Sequence, residues 1–270
     1  MKELDNPEVK ARLLQILIWF REYCVGKGYR YYITGGTLLG AMRHGGFIPW
    51  DDDIDVLMPA DDYNRFIHDD FSEAPYKLLS FDADGQATTA ITKLYDEDTV
   101  LEYARHTKYP IGVHIDVFPL YGLGNSLDEA RRIQKRARRP VKYIEWLILG
   151  KFFAPKNKLL FLPKLCGYCY AKLYGLKRAQ KRLKKLQSMY TWEESNYVGF
   201  INGAERECVE KTQYETPSEV AFEGETFKCC HDPHKFLTEF YGDYMTPPPE
   251  DKRQGHGYAV YLKDYHKESN

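Results

Sequence analysis

The sequence predicts an α/β (α+β) protein in which a β-sheet flanked by helices is joined to a helical segment rich in lysine and arginine. Two observations predict this class. Short β-type runs alternate with helical runs over the first 126 residues, and helical spacing then continues to residue 195. The tail mixes both patterns. We therefore expect three segments, which are a core at 1–126, a basic helical segment at 127–195 and a C-terminal segment at 196–270 that packs on the core.

The first elements surround a pair of glycines. Apolar residues at near-helical spacing predict a helix from Asn6-Pro7 to about Tyr23, ended by Gly26 and Gly28. The run "YRYYIT" follows as a strand that ends at Gly35-Gly36, and "TLLGAMRH" resumes a helical pattern. These glycines and the next residue, Thr37, are thus expected at a strand-to-helix turn.

An acidic run opens the next strand. "DDIDVLMP" is predicted to be a strand stopped by Pro59, and "ADDYNRFIHDDF" a helix entered through Asp61 and Asp62. Further short strands are predicted in "YKLLSFD", "TAITKLYD", "TVLEYAR" and "GVHIDVFPLYG".

The second half is predicted to be mainly helical and then mixed. Residues 127–195 are expected to form helices broken at Pro140, Pro155 and Pro163. The tail is expected to contain strands in "EVAFEGETFKC", a helix in "PHKFLTEFYGDY" and a turn at "TPPPE".

Composition indicates a globular protein of a reducing compartment. Six cysteines are scattered through 270 residues, unlike the dense spacing of a disulfide-stapled module. No run approaches the roughly 20 apolar residues of a membrane-spanning helix. We therefore expect a cytoplasmic protein without a spanning segment.

The near-zero net charge conceals a strong asymmetry. Residues 131–190 carry a net charge of +17, and the rest of the chain carries −18. Leucines and aromatic residues at helical spacing accompany the cations, which is the pattern of basic amphipathic helices. Such helices could contact an anionic membrane surface or a polyanion. The alternative is that their apolar faces pack inside the protein and their cations are solvated.

The acidic run has the chemistry of a metal site. If residues 51–56 are a strand, the side chains of Asp51, Asp53 and Asp55 share one face. Crowded carboxylates repel each other unless protons or cations neutralise them. Hard oxygen ligands suit Mg²⁺ or Mn²⁺, which can also bind substrate phosphates. A divalent cation is therefore predicted here.

Two further features complete this predicted site. In "HIDVFPL", Asp116 lies on one face of a strand, and it joins Asp53 and Asp55 if that strand neighbours the first acidic one. Gly35 and Gly36 would let backbone N–H groups approach a phosphate at a helix N-terminus, where Thr37 adds a hydroxyl. The combination predicts phosphoryl-type transfer.

The stretch "TGGTLLGAMRHGGFIPWDDDIDVLMPADDY" resembles the signature of the LicD family, whose relatives include the fukutin-related proteins, in the nucleotidyltransferase-fold superfamily. The tail "FEGETFKCCHDPHKFLTEFYGDYMTPPPEDKR" is similar to the LicD ending, although Cys229-Cys230-His231 stands where a proline-containing strand is expected. The resemblance implies a nucleotidyltransferase-like mixed β-sheet flanked by helices. It also implies a Mg²⁺-dependent transferase of substituted phosphate groups.

In the reaction that the resemblance implies, phosphocholine or a similar phospho-alcohol moves from a CDP-linked donor, such as CDP-choline, to a sugar hydroxyl. The acceptor would be a teichoic-acid or lipopolysaccharide glycan, free or lipid-linked. The superfamily's Gly-Gly-Ser/Thr falls on Gly35, Gly36 and Thr37. Its paired metal acids fall on Asp53 and Asp55, its third acid on Asp116, and Asp51 could bind a water of the metal.

Cations are needed for the donor's diphosphate. Arg43 and Lys93 are the candidates, and Arg253 beside the tail turn is a weaker one. His44 and His114 could donate hydrogen bonds, although a single histidine more often packs.

Three readings compete with this one. Zinc could be held by Cys166-x-x-Cys169 and by Cys229-Cys230-His231 with His234, although reduced packing cysteines are the default. The same fold could instead transfer a nucleotide to a small molecule or a nucleic acid, an alternative that the "FIPWDDDIDV" context disfavours. The chain could also be a noncatalytic adaptor held at the inner face of the cell membrane by residues 131–190.

Overall fold

The computed structural model describes residues 1–84, 91–150, 152, 154, 155, 157–201, 207–255 and 257–263. The chain divides into two compact units. The first contains Met1–Gln86, Ile91–Pro119 and Thr212–Asn270, and the second contains Ala87–Ala90 and Leu120–Lys211. The three segment boundaries inferred from the sequence stay a prediction.

Helices and strands alternate through the first unit, and helices dominate the second. The helices are α1 (Asn6–Lys27), α2 (Gly35–His44), α3 (Ala60–Phe66), α4 (Phe81–Asp84), α5 (Leu127–Leu149), α6 (Phe161–Tyr174), α7 (Leu176–Gln187), α8 (Thr212–Glu215) and α9 (Pro233–Tyr241). The strands are β1 (Lys2–Glu3), β2 (Tyr32–Ile33), β3 (Asp55–Pro59), β4 (Lys77–Leu79), β5 (Thr92–Tyr95), β6 (Thr99–Leu101), β7 (His114–Gly122), β8 (Tyr197–Gly199), β9 (Cys208–Glu210), β10 (Ser218–Phe222), β11 (Glu225–Cys229) and β12 (Val260–Leu262). The predicted α+β class is confirmed.

The sheet of the first unit has the strand order β2-β3-β7-β5-β4. Alternation along β7 buries Ile115 and Val117, as the sequence predicted. Phe20 of α1 packs in the same core, with its ring 5.6 Å from that of Tyr31 and 5.4 Å from that of Phe66. Burial of these faces fixes the register of the strands that carry the acids.

Helix α1 is longer than predicted. Asp5 caps its start by accepting from the N–H of Glu8, whose side chain accepts from the N–H of Asp5 in return. The helix passes Gly26 and ends only at Gly28, which adopts a left-handed φ of 70°. Gly26 therefore does not end the helix, because the left-handed conformation at Gly28 is what stops it.

The predicted proline breaks are largely wrong. Pro140 lies inside α5, on its buried side, and the helix continues to Leu149. Pro163 lies in the first turn of α6, where its missing N–H has no helical partner to lose. Pro155 does lie between helices. The boundary between α6 and α7 is formed by Gly175, with φ 85°.

The basic helix α5 has two distinct faces. Its apolar side chains recur at helical spacing and are buried, namely Ala130, Ile133, Ala137, Val141 and Ile144. The cations Arg132, Arg136 and Arg139 are exposed. For α5, the structure thus favours the packed, solvated alternative. Across the described ranges, no helix combines the length and the apolar character needed to cross a bilayer.

Asp62, in the first turn of α3, joins this helix to Arg30 before β2 and provides a test of this fold. Its side chain is nearly fully buried and accepts from Arg30 Nε at 2.5 Å and from Arg65 Nη2. Asp62→Ala should lower the free energy of unfolding by about 2 kcal/mol, because charged hydrogen bonds are lost while the half-exposed arginines can be solvated.

Urea unfolding measures this effect, with Asp61→Ala as the control. Asp61 lies in the same first turn but is exposed. Its replacement should change stability by no more than about 0.5 kcal/mol. Equal losses in the two variants would contradict the assigned role of Asp62.

Candidate active site

The turn between β2 and α2 lies directly against the carboxylates. Thr34 precedes α2 in an extended conformation, and its N–H donates to the carbonyl oxygen of Asp55 at 3.2 Å. Gly35 begins the helix with φ 55°, a conformation that favours glycine. A Cβ at Gly35 would lie 2.9 Å from Asp55 Oδ2, and one at Gly36 would lie 2.9 Å from Asp51 Oδ2. The glycines therefore leave room for these two carboxylates.

Thr37 ties the same helix to β3. Its hydroxyl is buried and accepts from the N–H of Asp55 at 2.9 Å. This contact fixes the start of β3 against α2. Phosphate binding by Gly35, Gly36 and Thr37 stays a prediction.

The acidic side chains come together, although not in the way that was predicted. Strand β3 begins at Asp55, so Asp51 and Asp53 lie before the strand. Alternation of side chains along a strand therefore does not determine where these two point. The N–H of Asp116 donates to the carbonyl of Ile54 at 2.8 Å, which places β7 beside this stretch. Strand pairing and the loop before β3 together gather the acids.

Asp55 is the centre of the resulting cluster. Its burial and, in decreasing order, the charges of Asp53, Asp116 and Asp51 raise the pKa of Asp55 well above its usual value. Only Lys93 acts in the opposite direction. The other three acids thus lie close enough to disfavour the ionised form of Asp55, and the roles of all four as metal ligands stay a prediction.

Lys93 binds this cluster. It lies opposite Asp116 in the register of β5 and β7, and its ammonium is 2.5 Å from Asp116 Oδ1. It also donates to His114 Nε2 at 2.9 Å, while His114 Nδ1 donates to the carbonyl of Gly112 at 2.9 Å. Lys93 thus contacts one acid and one histidine, and its binding of a phosphate stays a prediction. His114 is held as an acceptor for Lys93.

A second charged group lies around Trp50, the residue before the acidic run. The guanidinium carbons of Arg43 and Arg253 lie 5.9 and 5.2 Å from the Trp50 ring centroid. Arg43 donates to the carbonyl of Tyr244 and Arg253 to that of Pro248, both at 2.8 Å. Burial and the charge of Arg253 lower the pKa of Arg43. Two like charges are thus held close together.

Sequence reasoning missed Trp50 and Lys10. Trp50 adjoins the motif and could have been suspected from its position beside the acids. Lys10 lies in α1, and its ammonium donates to the carbonyls of Ile48 and Pro49. Burial lowers the pKa of Lys10, and the charges of Asp51, Glu223 and Asp52 oppose this shift. No sequence signal connects so distant a lysine with the acidic run.

His44, which the sequence suggested as a hydrogen-bond donor, accepts from Arg43 Nε at 2.9 Å. Burial lowers the pKa of His44.

The donor chemistry of the cluster fits a hard divalent cation. Four carboxylates crowd a partly buried site, with Lys93 as the ammonium that directly contacts one of them. In the described part of the chain, however, no three acidic, histidine or cysteine side chains already converge on a metal position. A cation would therefore have to draw these carboxylates closer, and its positive charge would offset the repulsion that otherwise opposes their approach.

The cysteines have other surroundings. Cys229 and Cys230 are buried, and burial raises the pKa of Cys229 to about 11, which keeps it a neutral thiol. The nearby His231 and His234 already bond to Thr216 and to the Tyr244 hydroxyl, respectively. Cys229 ends β11, so the unusual tail sequence forms an ordinary hairpin strand. These contacts favour packing over zinc binding.

The helix that starts at Gly-Gly-Thr beside carboxylates on neighbouring strands is the arrangement of a nucleotidyltransferase domain. Residues 28–153 match the family described as LicD/FKTN/FKRP, nucleotidyltransferase domain. A relative named for LicD is also 32% identical over nearly the whole chain, so the chain belongs to the LicD family.

Two relatives show the range of this similarity. The chain is 32% identical to the lipopolysaccharide cholinephosphotransferase LicD of Haemophilus influenzae over 270 aligned positions, which cover 95% of this chain and 97% of that protein. It is 62% identical to the human and mouse ribitol 5-phosphate transferase FKRP over 29 residues, 11% of this chain and 6% of FKRP. The first match spans nearly the whole protein and the second only a short stretch.

The raised pKa of Asp55 predicts an unusual dependence of stability on pH. The folded protein disfavours the charged carboxylate, so the stabilising contribution of protonated Asp55 is lost as the pH rises through its raised pKa. The substitution Asp55→Asn removes the ionisable group and therefore removes this loss of stability at high pH. With chelator present, the variant should therefore be more stable than the parent at pH 8.

Urea unfolding from pH 4 to 8 tests this expectation. The advantage of Asp55→Asn should grow above about pH 4, the usual carboxyl range. Asp61→Asn, which removes an exposed charge, should show no such trend. An advantage of Asp55→Asn that stays constant with pH would contradict the assignment.

Proposed function

We propose that this protein is a transferase that moves phosphocholine, or a similar phospho-alcohol group, from a CDP-linked donor to a sugar hydroxyl of a cell-surface glycan. The proposal rests first on the carboxylate cluster of Asp51, Asp53, Asp55 and Asp116 beside the Gly-Gly-Thr turn. The relatives support the choice of group, since one is named a cholinephosphotransferase and another a ribitol 5-phosphate transferase. Both names describe transfer of a phosphate that carries an alcohol.

The carboxylates and glycines have separate parts in this proposal. Asp53, Asp55 and Asp116, with Asp51 at the edge, would hold Mg²⁺ or Mn²⁺, which supplies charge neutralisation for the phosphates and lowers the pKa of a bound hydroxyl. Gly35 and Gly36 at the start of α2 lie beside the same carboxylates, and the N–H groups of this turn would bind phosphate oxygens, with Thr37 adding a hydroxyl. Lys93 would stay on Asp116 and keep that carboxylate oriented.

Arg43 and Arg253 would bind the donor's diphosphate. Among the described residues, Arg43 has no carboxylate within ion-pair distance, and Arg253 has only the exposed Glu250 at 3.7 Å. Their backbone contacts and Trp50 hold the two guanidiniums in place before any ligand binds. Preorganised cations of this kind bind phosphate oxygens with little loss of side-chain freedom.

The reaction is a substitution at phosphorus. The oxygen of the sugar hydroxyl forms a bond to the phosphorus that carries the alcohol, and the bond from that phosphorus to the bridging oxygen breaks. Cytidine monophosphate leaves with the electron pair of that bond, and the proton of the sugar hydroxyl is released to solvent or to the departing phosphate. The protein aligns the two substrates and stabilises the charge that develops on the phosphate oxygens.

We also propose a cytoplasmic location. All six cysteines are free thiols, and Cys166 and Cys169 are exposed. Exposed thiols persist in a reducing compartment.

Loss of the central carboxylate should abolish turnover. With Mg²⁺, CDP-choline and a glycan acceptor, Asp55→Asn should release cytidine monophosphate at least about 100-fold more slowly, because a metal-binding charge is lost. Asp61→Asn should keep the parental rate. CDP-ethanolamine, CDP-glycerol and CDP-ribitol tested in parallel identify the alcohol.

The same assay separates the alternatives. Pyrophosphate release from nucleoside triphosphates, in place of cytidine monophosphate release, would show nucleotide transfer instead. Full biological function of Asp53→Ala would favour a noncatalytic adaptor. Because Asp55→Asn is expected to be stable, its loss of turnover cannot be ascribed to unfolding.

The arginine pair should determine affinity for the diphosphate. Arg43→Gln and Arg253→Gln should each weaken binding of CDP about tenfold, since a charged hydrogen bond contributes about 1.5–3 kcal/mol. Binding of cytidine, which has no phosphate, should change little. Calorimetry measures both ligands, with Lys235→Gln on α9 as the control for loss of a surface cation. Equal losses for CDP and cytidine would contradict a diphosphate role.

A further inference from the structure

Helix α6 and the turn before it expose apolar side chains to solvent. Leu159, Leu162 and Leu173 have 85%, 67% and 82% of their surface exposed, and Leu160, Phe161 and Tyr170 are exposed as well. Helices α5 and α7 differ, because they bury apolar residues such as Ile144 and Leu186. We refer to residues 157–174 as the α6 surface.

The exposed residues follow one line along the helix. Leu162, Cys166, Cys169 and Leu173 recur at intervals of four, three and four residues, and all four are exposed. A reduced cysteine behaves as a small apolar residue. The opposite side of α6 is anchored, because Tyr168 and Ala171 are buried and the Tyr168 hydroxyl donates to the carbonyl of Gly150 at 3.1 Å. The Cys-x-x-Cys pair thus belongs to an apolar stripe.

The chain around this stripe contains cations and no acids. From residue 146 to 192 the sequence has eleven lysines and arginines and no aspartate or glutamate. The described cations include exposed side chains on the α6 surface and on α7, such as Lys158, Lys172, Lys181 and Lys185. An apolar stripe among cations is complementary to a surface that has an anionic outer layer and an apolar layer beneath it.

We propose that the α6 surface inserts into the interface of an anionic lipid bilayer. The leucines would enter the boundary between headgroups and acyl chains, and the surrounding lysines would contact the headgroup phosphates. A helix of 14 residues is too short to span the bilayer, so the contact is peripheral. Nucleic acid would use the cations but not the leucines, and a second copy of the chain would bring like charges together. The inference does not depend on the proposed catalytic activity.

Vesicle flotation of the full chain tests this inference. The protein should float with vesicles of phosphatidylcholine and phosphatidylglycerol and not with phosphatidylcholine alone. The triple variant Leu159→Ser, Leu162→Ser and Leu173→Ser keeps every charge, and its partitioning should fall at least tenfold. Val25→Ser, which replaces a residue that is 64% exposed on α1, should partition like the parent. Unchanged melting temperatures show that the variants remain folded.

The native thiols provide a second measurement. Cys166 and Cys169 are exposed and the other four cysteines are buried, so an environment-sensitive thiol dye should label α6 without mutagenesis. Its emission should shift to the blue with anionic vesicles. Flotation of the triple variant at the parental level, or an unshifted dye, would overturn the proposal. So would a lipid-free dimer that the triple variant abolishes, or RNA binding without vesicle binding.

Discussion

The repulsion among four carboxylates is the constraint that explains the rest of the first unit. Asp55 lies at the start of β3, and the charges of Asp53, Asp116 and Asp51 disfavour its ionised form. The fold nevertheless holds these groups together through the contacts of Thr34 and Thr37 with the Asp55 backbone. Gly35 and Gly36 are required because a side chain at either position would meet a carboxylate. Local geometry is therefore arranged around a charge excess that Lys93 offsets in part and that a bound cation or a proton would relieve further.

A second charged group, of opposite sign, surrounds Trp50, the residue before the acidic run. Arg43 and Arg253 lie against Trp50, and Trp50 immediately precedes Asp51. Each guanidinium is held by a backbone carbonyl, so neither is free to turn away from the other. A cation bound by the acids and an anion bound by the arginines would each remove an unfavourable interaction present in the free protein. Sites with charges preset in this way bind charged substrates with little reorganisation.

Local sequence patterns predict some parts of this site, whereas others depend on contacts between residues far apart in the chain. The Gly-Gly-Thr turn and Asp116 were predictable, because strand alternation and turn chemistry are local properties. The start of β3 at Asp55 was not, since the strand begins where the carbonyl of Asp55 accepts from the Thr34 N–H and the N–H of Asp55 donates to the Thr37 hydroxyl. Lys10 joined the site only through tertiary packing of α1. Pro140 was expected to break α5, but the buried apolar face of that helix outweighs one lost hydrogen bond.

The basic segment shows why charge and periodicity alone could not decide its role. All three helices α5, α6 and α7 have the sequence pattern of basic amphipathic helices. The tertiary structure shows that α5 and α7 bury apolar residues such as Ile144 and Leu186, whereas α6 exposes a leucine stripe. Outside residues 131–190 the chain carries −18, so most of the protein is repelled by an anionic membrane. Long-range attraction must then come from the exposed cations of the segment, and it falls off within a Debye length of roughly 10 Å. Short-range contact requires apolar side chains without a carboxylate nearby, a condition that the stretch from 146 to 192 meets. Attraction and insertion are thus separable properties, and substitutions of cations and of leucines should affect them independently.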